Sequence, residues 1–435
     1  MATNHNSNQD MKKLIKELNG LVFKGSEFFE KKKMEKLVSI VDLLDGELIK
    51  SDSGQFFLKR TVIPTEEIRN GFVGNGLKPF PTGYENLNPK TLSIIGRDSE
   101  IESTNPLKFL YLDTETTGLA GGTGTFAFLV GCGYFRDNTF IIEQFFMEDY
   151  QYELAMLEFL KNFLSGFEGF VTFNGKCFDI PLLKSRFIYN RIPVNLEIPN
   201  LDLLFIARRF WKRRLGDCSL QNLEVNLFDI KRENDIPSEL IPYVYFDYVR
   251  GIRRERMVNV FNHNQQDIVS LALITILAHN IYESPHKLDF IEPVDLYSLA
   301  LTYQRDNFYD RAVECFWRAL KSTQSEELEF HIRGKLSMLY KKMQDYESAV
   351  NIWFDLIDRF EIDDVFHFEE LAKYFEHKQR DYDRAISIVQ KAIQKIEILC
   401  EVSKNDMLQK GKYNAHLESL KKRLKRLKRK INRAH

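Results

Sequence analysis

Three β-rich runs follow one another directly between residues 109 and 147, at Phe109–Asp113, Thr125–Phe135 and Thr139–Met147, joined by short connections with Gly or Asp-Asn at the turns. Strands so closely spaced predict a meander, because a parallel pair would need a long crossover between them. Tyr152–Phe167 then carries Leu154, Leu157, Leu160 and Leu164 on one helical stripe, Gly169–Phe173 reads as a strand and Ile180–Asn190 as a helix. This is a crossover unit. An extended stretch near Leu196–Leu204, a basic helical segment Phe205–Leu215, a polar loop region and a long helix Arg253–Tyr282 complete the block.

The order βββαβαβα predicts a ribonuclease-H-like α/β fold over residues 108–285. Beyond Pro293 the texture is purely helical, and Ala312, Ala349 and Ala385 recur 37 and then 36 residues apart. Around them Ala300, Tyr303, Phe316 and Ala319 reappear as Ser337, Tyr340, Trp353 and Leu356, then as Ala372, Phe375, Val389 and Ala392. Small residues let paired helices approach and aromatics fill the groove, so residues 293–400 resemble tetratricopeptide repeats. Residues 401–435 form a basic amphipathic helix with Leu417, Leu420, Leu424, Leu427 and Ile431 on one stripe, expected to cap the last repeat, with nucleic-acid attraction as the other reading. Residues 1–107 read as an appendage: helical at Met11–Leu18 and Glu27–Asp45, a hairpin at Gly46–Ile49 and Gln55–Ile63, and a loop-rich lead-in from Arg69 to Pro106.

Composition excludes several classes. Apolar residues make up 44% and aromatics 13% of 435 residues, enough to fill cores, while 22 Gly and 12 Pro are too few for a collagen-like or low-complexity chain. Five cysteines without a CxxC pair support neither a disulfide framework nor a zinc knuckle, which fits a reducing cytoplasm. The polar start and the absence of an apolar run of spanning length predict neither export nor a membrane role. Net charge is −1, yet nine of the 61 basic residues and none of the 62 acidic ones fall in the last fifteen positions. Bulk charge does not announce a nucleic-acid binder, although its distribution leaves room for one.

The chemistry concentrates in three short words. Asp113 and Glu115 stand at i and i+2 at the end of an apolar strand, which places both carboxylates on one face. Phe173-Asn174-Gly175-Lys176-Cys177-Phe178-Asp179 ends another strand with a third acid, and His263 and Asp267 lie four apart on the long helix. Four carboxylates and an imidazole are an inventory for phosphodiester cleavage: two divalent ions need several anionic oxygens to hold them beside the reacting phosphate. Thr117, Gly118 and Asn174 are the candidates for substrate contact. Arg208, Arg209, Lys212, Arg213 and Arg214, interleaved with Phe210 and Trp211, suit phosphate contact and base stacking or a solvated helix face with Trp211 in the core. Asp202 stays outside the catalytic set, and Cys177 is expected as a small buried filler.

Asp113-x-Glu115, Asn174-x-x-x-Phe178-Asp179 and His263-x-x-x-Asp267 resemble the three motifs of the DEDD 3′–5′ exonuclease superfamily over Lys108–Tyr282. Phe173–Pro181 and Asp202-Leu203-Leu204 with Ala207-Arg208-Arg209 are similar to its YprB-like branch. The resemblance implies that Asp113, Glu115, Asp179 and Asp267 ligate two Mg²⁺ or Mn²⁺ ions and that His263 activates water. It departs in the third motif, where the superfamily has Tyr four residues before the Asp or His five before it. The expected activity is 3′–5′ exonucleolysis of DNA or RNA, on nucleic acid with single-stranded 3′ ends, with a protein partner on the repeats. The alternative is a scaffold that binds nucleic acid or protein without cutting.

Overall fold

A computed structural model describes residues 39–69, 83–118, 124–288, 290–360, 365–402 and 407–434. The helix expected at Met11–Leu18 lies outside these residues, as do the first part of Glu27–Asp45 and positions 70–82 of the lead-in; Ile40–Leu43 is helical. The fold is α/β followed by an all-helical array, as the element order predicts.

Seven strands form one sheet: β1 (Glu47–Ser51), β2 (Gly54–Pro64), β3 (Phe109–Thr116), β4 (Ala127–Arg136), β5 (Thr139–Phe146), β6 (Gly169–Thr172) and β7 (Asn200–Asp202), in the order β1-β2-β5-β4-β3-β6-β7. The meander β3-β4-β5 is antiparallel, whereas β6 joins β3 in parallel and β7 joins β6 in parallel. The hairpin assigned to the appendage belongs to this sheet. β2 runs antiparallel to β5 from Phe57 opposite Phe146 to Pro64 opposite Thr139, so it covers an edge that would otherwise present unpaired backbone groups.

Alternation along β3 sets the two faces. Phe109 and Tyr111 point into the core shared with α1 (Pro89–Gly96), α4 (Leu203–Phe210), α5 (Leu220–Phe228) and α7 (Met257–Glu283). Leu110 and Leu112 point the other way, into the core shared with α2 (Glu153–Leu164), α3 (Asp179–Tyr189) and α6 (Ile241–Val249). The region expected as polar loop contains α5 and α6, which is a correction. Leu223 and Phe228 on α5 and Ile241, Val244, Tyr245 and Tyr248 on α6 are buried at helical spacing, and the polar residues between them had masked that period.

The array holds α8 (Pro293–Arg305), α9 (Tyr309–Ser322), α10 (Glu326–Lys342), α11 (Tyr346–Arg359), α12 (Phe366–Tyr374), α13 (Tyr382–Val402) and α14 (Met407–Ala434), among the described residues. Consecutive helices pack as pairs, α8 with α9, α10 with α11 and α12 with α13. Of the aligned repeat positions all are buried except Tyr340, which is half-buried. The α7 side of the sheet and the first two pairs share one continuous core, and Arg214 Nε donates to Asp295 Oδ2 at 2.7 Å across the junction.

The terminal helix caps the array. Leu420 and Leu427 of α14 are buried, with Leu417 and Leu424 beside them. Glu376, in a wide helical turn at Phe375–Gln379, has its side chain fully enclosed and accepts from Arg423 Nη1 (2.8 Å), Arg426 Nη2 (2.9 Å) and Lys430 Nζ (2.9 Å). Burial, the largest single influence, pushes this carboxyl up. The combined hydrogen bonds and charges of Lys430 and Arg426 overcome it and hold the group at about 2. A carboxyl depressed on folding stabilises above its unfolded value and loses that contribution as pH falls through the folded one. Glu376→Gln is therefore expected to lower the thermal midpoint at pH 7, by a loss of about 3 kcal/mol for breaking a buried pair, and the gap to the natural chain should narrow from pH 4.5 to 2. Thermal unfolding across a pH series reads this; a gap independent of pH would remove the ion cluster as the cause.

Candidate active site

The end of β3 is where the sheet faces meet the candidate residues. Asp113 follows Phe109 and Tyr111 on the α7 side, and a register irregularity between Glu115 and Thr116 ends the regular pairing with β4 just past the second acid. Thr114 points to the other side, where its N–H (3.1 Å) and Oγ1 (2.6 Å) donate to Asp179 Oδ1 at the first position of α3. One strand thus presents two acids to one helix layer and pins the third acid from the opposite layer.

Helix α7 completes the cluster. Asn264, wholly buried, donates through Nδ2 to Asp113 Oδ2 at 2.8 Å, while its Oδ1 accepts from Gln144 Nε2 at 2.9 Å. Gln144 Nε2 also reaches the Phe261 carbonyl at 2.8 Å. The close approach of α7 requires Gly131, the residue opposite Asp113 on β4: a Cβ there would stand 2.2 Å from Asn264 Oδ1. His263 and Asp267 lie one turn apart on the same helix, with His263 Nε2 3.5 Å from Asp267 Oδ2 and 4.0 Å from Glu115 Oε1. Ligand atoms of Glu115, His263 and Asp267 all fall within 4.8 Å of one another.

Residues outside the three motifs hold this arrangement. Arg232, nine-tenths enclosed, forms ion pairs with Asp267 and with Glu224 (2.6 Å), and its Nη1 lies 3.3 Å from His263 Nδ1. Asp235 Oδ1 is 2.8 Å from His263 Nδ1, which selects the tautomer carrying a proton on Nδ1 and leaves Nε2 facing the acids. Glu224, Arg232 and Asp235 come from α5 and the segment after it, the stretch expected as loop. Their spacing carries no motif, so the sequence offered no signal for them. Asn264 and Thr114 had a signal, since each sits inside a motif word.

The acids are strained electrostatically. Burial raises Asp113 well above the usual carboxylate range, and Asp267 and Asp179 raise it further against the Asn264 hydrogen bond and Arg232. Burial likewise raises Glu115, with Asp113, Asp267 and Asp179 adding to it. Asp179 is pushed up by burial to about 6, despite its hydrogen bonds from Thr114. Hard oxygen donors that oppose one another's ionisation fit a divalent cation such as Mg²⁺ or Mn²⁺, with one imidazole in reach.

The expected substrate-contact residues lie at the rim. Thr117 N–H donates to the Phe126 carbonyl (3.0 Å) and its Oγ1 accepts from the Phe126 N–H (2.9 Å), so both groups close a loop whose residues 119–123 lie outside those described. A side chain at Gly118 would meet only Thr125 Oγ1, at 3.8 Å, and its φ is not positive. Asn174 is exposed in a left-handed conformation (φ 64°), its N–H donating to Asp202 Oδ1 at 2.8 Å. Asp202 is therefore a structural acid: it caps α4 and ties down the Asn174 loop. Cys177, expected buried, is exposed, because the turn before α3 directs it outward. Phe210 and Trp211 are buried, so they are not available to stack on bases.

Carboxyls raised on folding favour the protonated state, and their contribution to stability is lost as pH rises through the folded values. The metal-free protein is expected to lose stability between pH 5 and 8, and Mn²⁺ at pH 8 to restore it by about 2.7 kcal/mol at a hundredfold excess over its dissociation constant. Asp113→Asn should raise the metal-free midpoint at pH 8 and shrink the Mn²⁺ response. Thermal unfolding in EDTA and in Mn²⁺ measures both; no response to Mn²⁺ at pH 8 would remove the cation site.

Comparison with known proteins identifies a family domain over this part of the chain. Residues 110–278 match the family model of the RNase_H superfamily, a span that contains all five residues of the cluster. The chain is 31% identical over 304 residues to YprB, an uncharacterised protein of Bacillus subtilis (strain 168), across 68% of this chain and 72% of that one. A domain of this superfamily suggests nuclease-type activity, implies nucleic-acid binding and typically holds divalent metals. No helix among the described residues is long and apolar enough to cross a membrane. With this identity and coverage, the chain belongs to the YprB family, built around an RNase_H superfamily domain.

Proposed function

We propose that the protein is a metal-dependent 3′–5′ exonuclease acting on DNA or RNA. The observation that carries the reading is the convergence of Asp113, Glu115, Asp179 and Asp267, each from a separate motif or strand position, with His263 between Glu115 and Asp267. Buried acids that raise one another's proton affinity cost stability and are retained where a cation needs them.

Asp113, Glu115, Asp179 and Asp267 would hold two Mg²⁺ or Mn²⁺ ions, which when bound supply Lewis-acid activation of water and stabilisation of the leaving 3′ oxygen. The chain's own residues do the rest. His263, oriented by Asp235 through Nδ1, presents Nε2 to a water and accepts its proton. Asn264 and Thr114 fix Asp113 and Asp179, and Arg232 restrains Asp267. Gly118 and Asn174 border the path of the substrate backbone. The helical array, read as tetratricopeptide-like, would hold a protein partner.

The alternative, a scaffold that binds nucleic acid without cutting, draws on Arg232, whose guanidinium already neutralises Asp267. Incubation with 5′-labelled single-stranded DNA and RNA in Mg²⁺, Mn²⁺ or EDTA separates the two. A metal-dependent ladder shortening from the 3′ end is expected, with Asp113→Ala and Asp267→Ala each slower by about a thousandfold, the several kcal/mol that metal-ion catalysis supplies. Full activity in either variant would overturn the metal-site assignment, and binding without cleavage in any metal would establish the scaffold.

A further inference from the structure

The basic segment after Asp202 holds five cations, and the fold uses them unequally. Arg209 donates to the Ile95 carbonyl, Arg213 lies over the Tyr297 ring at 5.4 Å, and Arg214 pairs with Asp295. Arg208 and Lys212 remain. They are exposed, four residues apart on a helical path interrupted at Trp211, between α4 and the short helix Lys212–Leu215, and neither side chain has an ion pair or hydrogen bond among the described residues. Burial of Phe210 and Trp211 between them fixes that path against the core.

Both cations line one cleft of about 440 Å³, within the range of ligand sites. Its lining also includes Phe173, Asn174, Leu204, Ser219 and Leu220. The cations lie close enough to the Cys218 thiol to oppose the rise that burial and Asp217 impose on it. The one acid on the rim, Asp217, is occupied with Ser219, accepting from its N–H (3.2 Å) and Oγ (2.5 Å). Asp202 locks the two walls together, since it accepts from the N–H groups of Asn174 (2.8 Å) and Lys176 (3.2 Å) on one side and of Leu204 (3.1 Å) on the other. The loop that starts at this cleft with Phe173 and Asn174 ends at Asp179 in the acid cluster.

We infer that this cleft is a subsite for one nucleotide of a single-stranded nucleic acid, with Arg208 and Lys212 on its phosphates and its base against Phe173 and Leu204. Apolar side chains beside two cations without side-chain partners match the two halves of a nucleotide. The assignment rests on nucleic acid being the substrate, and it adds an anchor that involves neither the acids nor a metal ion.

The test is binding of the full-length protein to a fluorescent single-stranded oligonucleotide in EDTA across a salt series. Arg208→Gln with Lys212→Gln is expected to weaken binding about tenfold at 0.1 M salt and to reduce the slope of log K against log salt by about 1.4, the loss of two phosphate contacts. Phe173→Leu should weaken binding about fivefold without changing the slope. Lys321→Gln with Lys335→Gln, the same charge removed from the helical array, should change neither. An unchanged slope in the first variant, an equal loss in the array variant, or no binding by the natural chain in EDTA would each overturn the subsite. The outcome is separable from that for hydrolysis. Cleavage with unaltered KM in the Arg208 and Lys212 variant removes the cleft and leaves the nuclease, whereas cation-dependent binding without metal-dependent cleavage does the reverse.

Discussion

The contact between Asp113 and Asn264 sets the spacing of everything around the candidate site. It exists because Gly131, opposite Asp113 on β4, leaves room for α7 to lie close against the sheet. Through that approach α7 delivers His263 and Asp267 to the strand end that carries Asp113 and Glu115. A side chain at position 131 would lift the helix from the strand, and Asp113 and Glu115 would lose the approach of Asp267. The glycine is as much a part of the site as any acid, although it touches no reacting group.

The price of the arrangement is electrostatic, and the structure distributes it. Each acid is held by a specific neutral or cationic neighbour: Asp113 by Asn264, Asp179 by Thr114, Asp267 by Arg232. None of these partners removes the mutual repulsion, because Asp113 and Glu115 stay well above the usual range and Asp179 sits near 6. Fixed geometry with residual repulsion is the state that a divalent cation relieves. His263 differs from the acids in that its orientation is set from behind by Asp235, which leaves Nε2 facing Asp267 and Glu115.

The surrounding architecture keeps this edge rigid from three directions. β1 and β2 extend the sheet beyond β5, the core on the α7 face runs on into the first helices of the array, and the Arg214–Asp295 pair bridges the junction. The terminal helix closes the far end, with its basic side chains partly spent on Glu376. A basic tail that caps the helical array has a structural use for its charge, which separates it from the two cations at the cleft, whose side chains have no ion pair or hydrogen bond among the described residues.

The sequence by itself determined the strand and helix order from Phe109 to Asp202 and the long helix that ends at Glu283, because periods of two and 3.6 are local properties of side-chain spacing, while α5 and α6 between them read as loop. It also placed Asp113 with Glu115 and His263 with Asp267 on shared faces, because strand alternation and a one-turn helical spacing are local. The helical texture from Ala300 to Ala392 was legible for the same reason, since its aligned small and aromatic residues lie between packed helices. Tertiary structure alone decided that the early hairpin joins the sheet, since strand pairing across 80 residues leaves no mark in either strand. It alone brought Glu224, Arg232 and Asp235 to the acids and chose Arg208 and Lys212 from five similar cations. Such choices depend on which side chains find partners, and that is a property of distances between segments that no local pattern encodes.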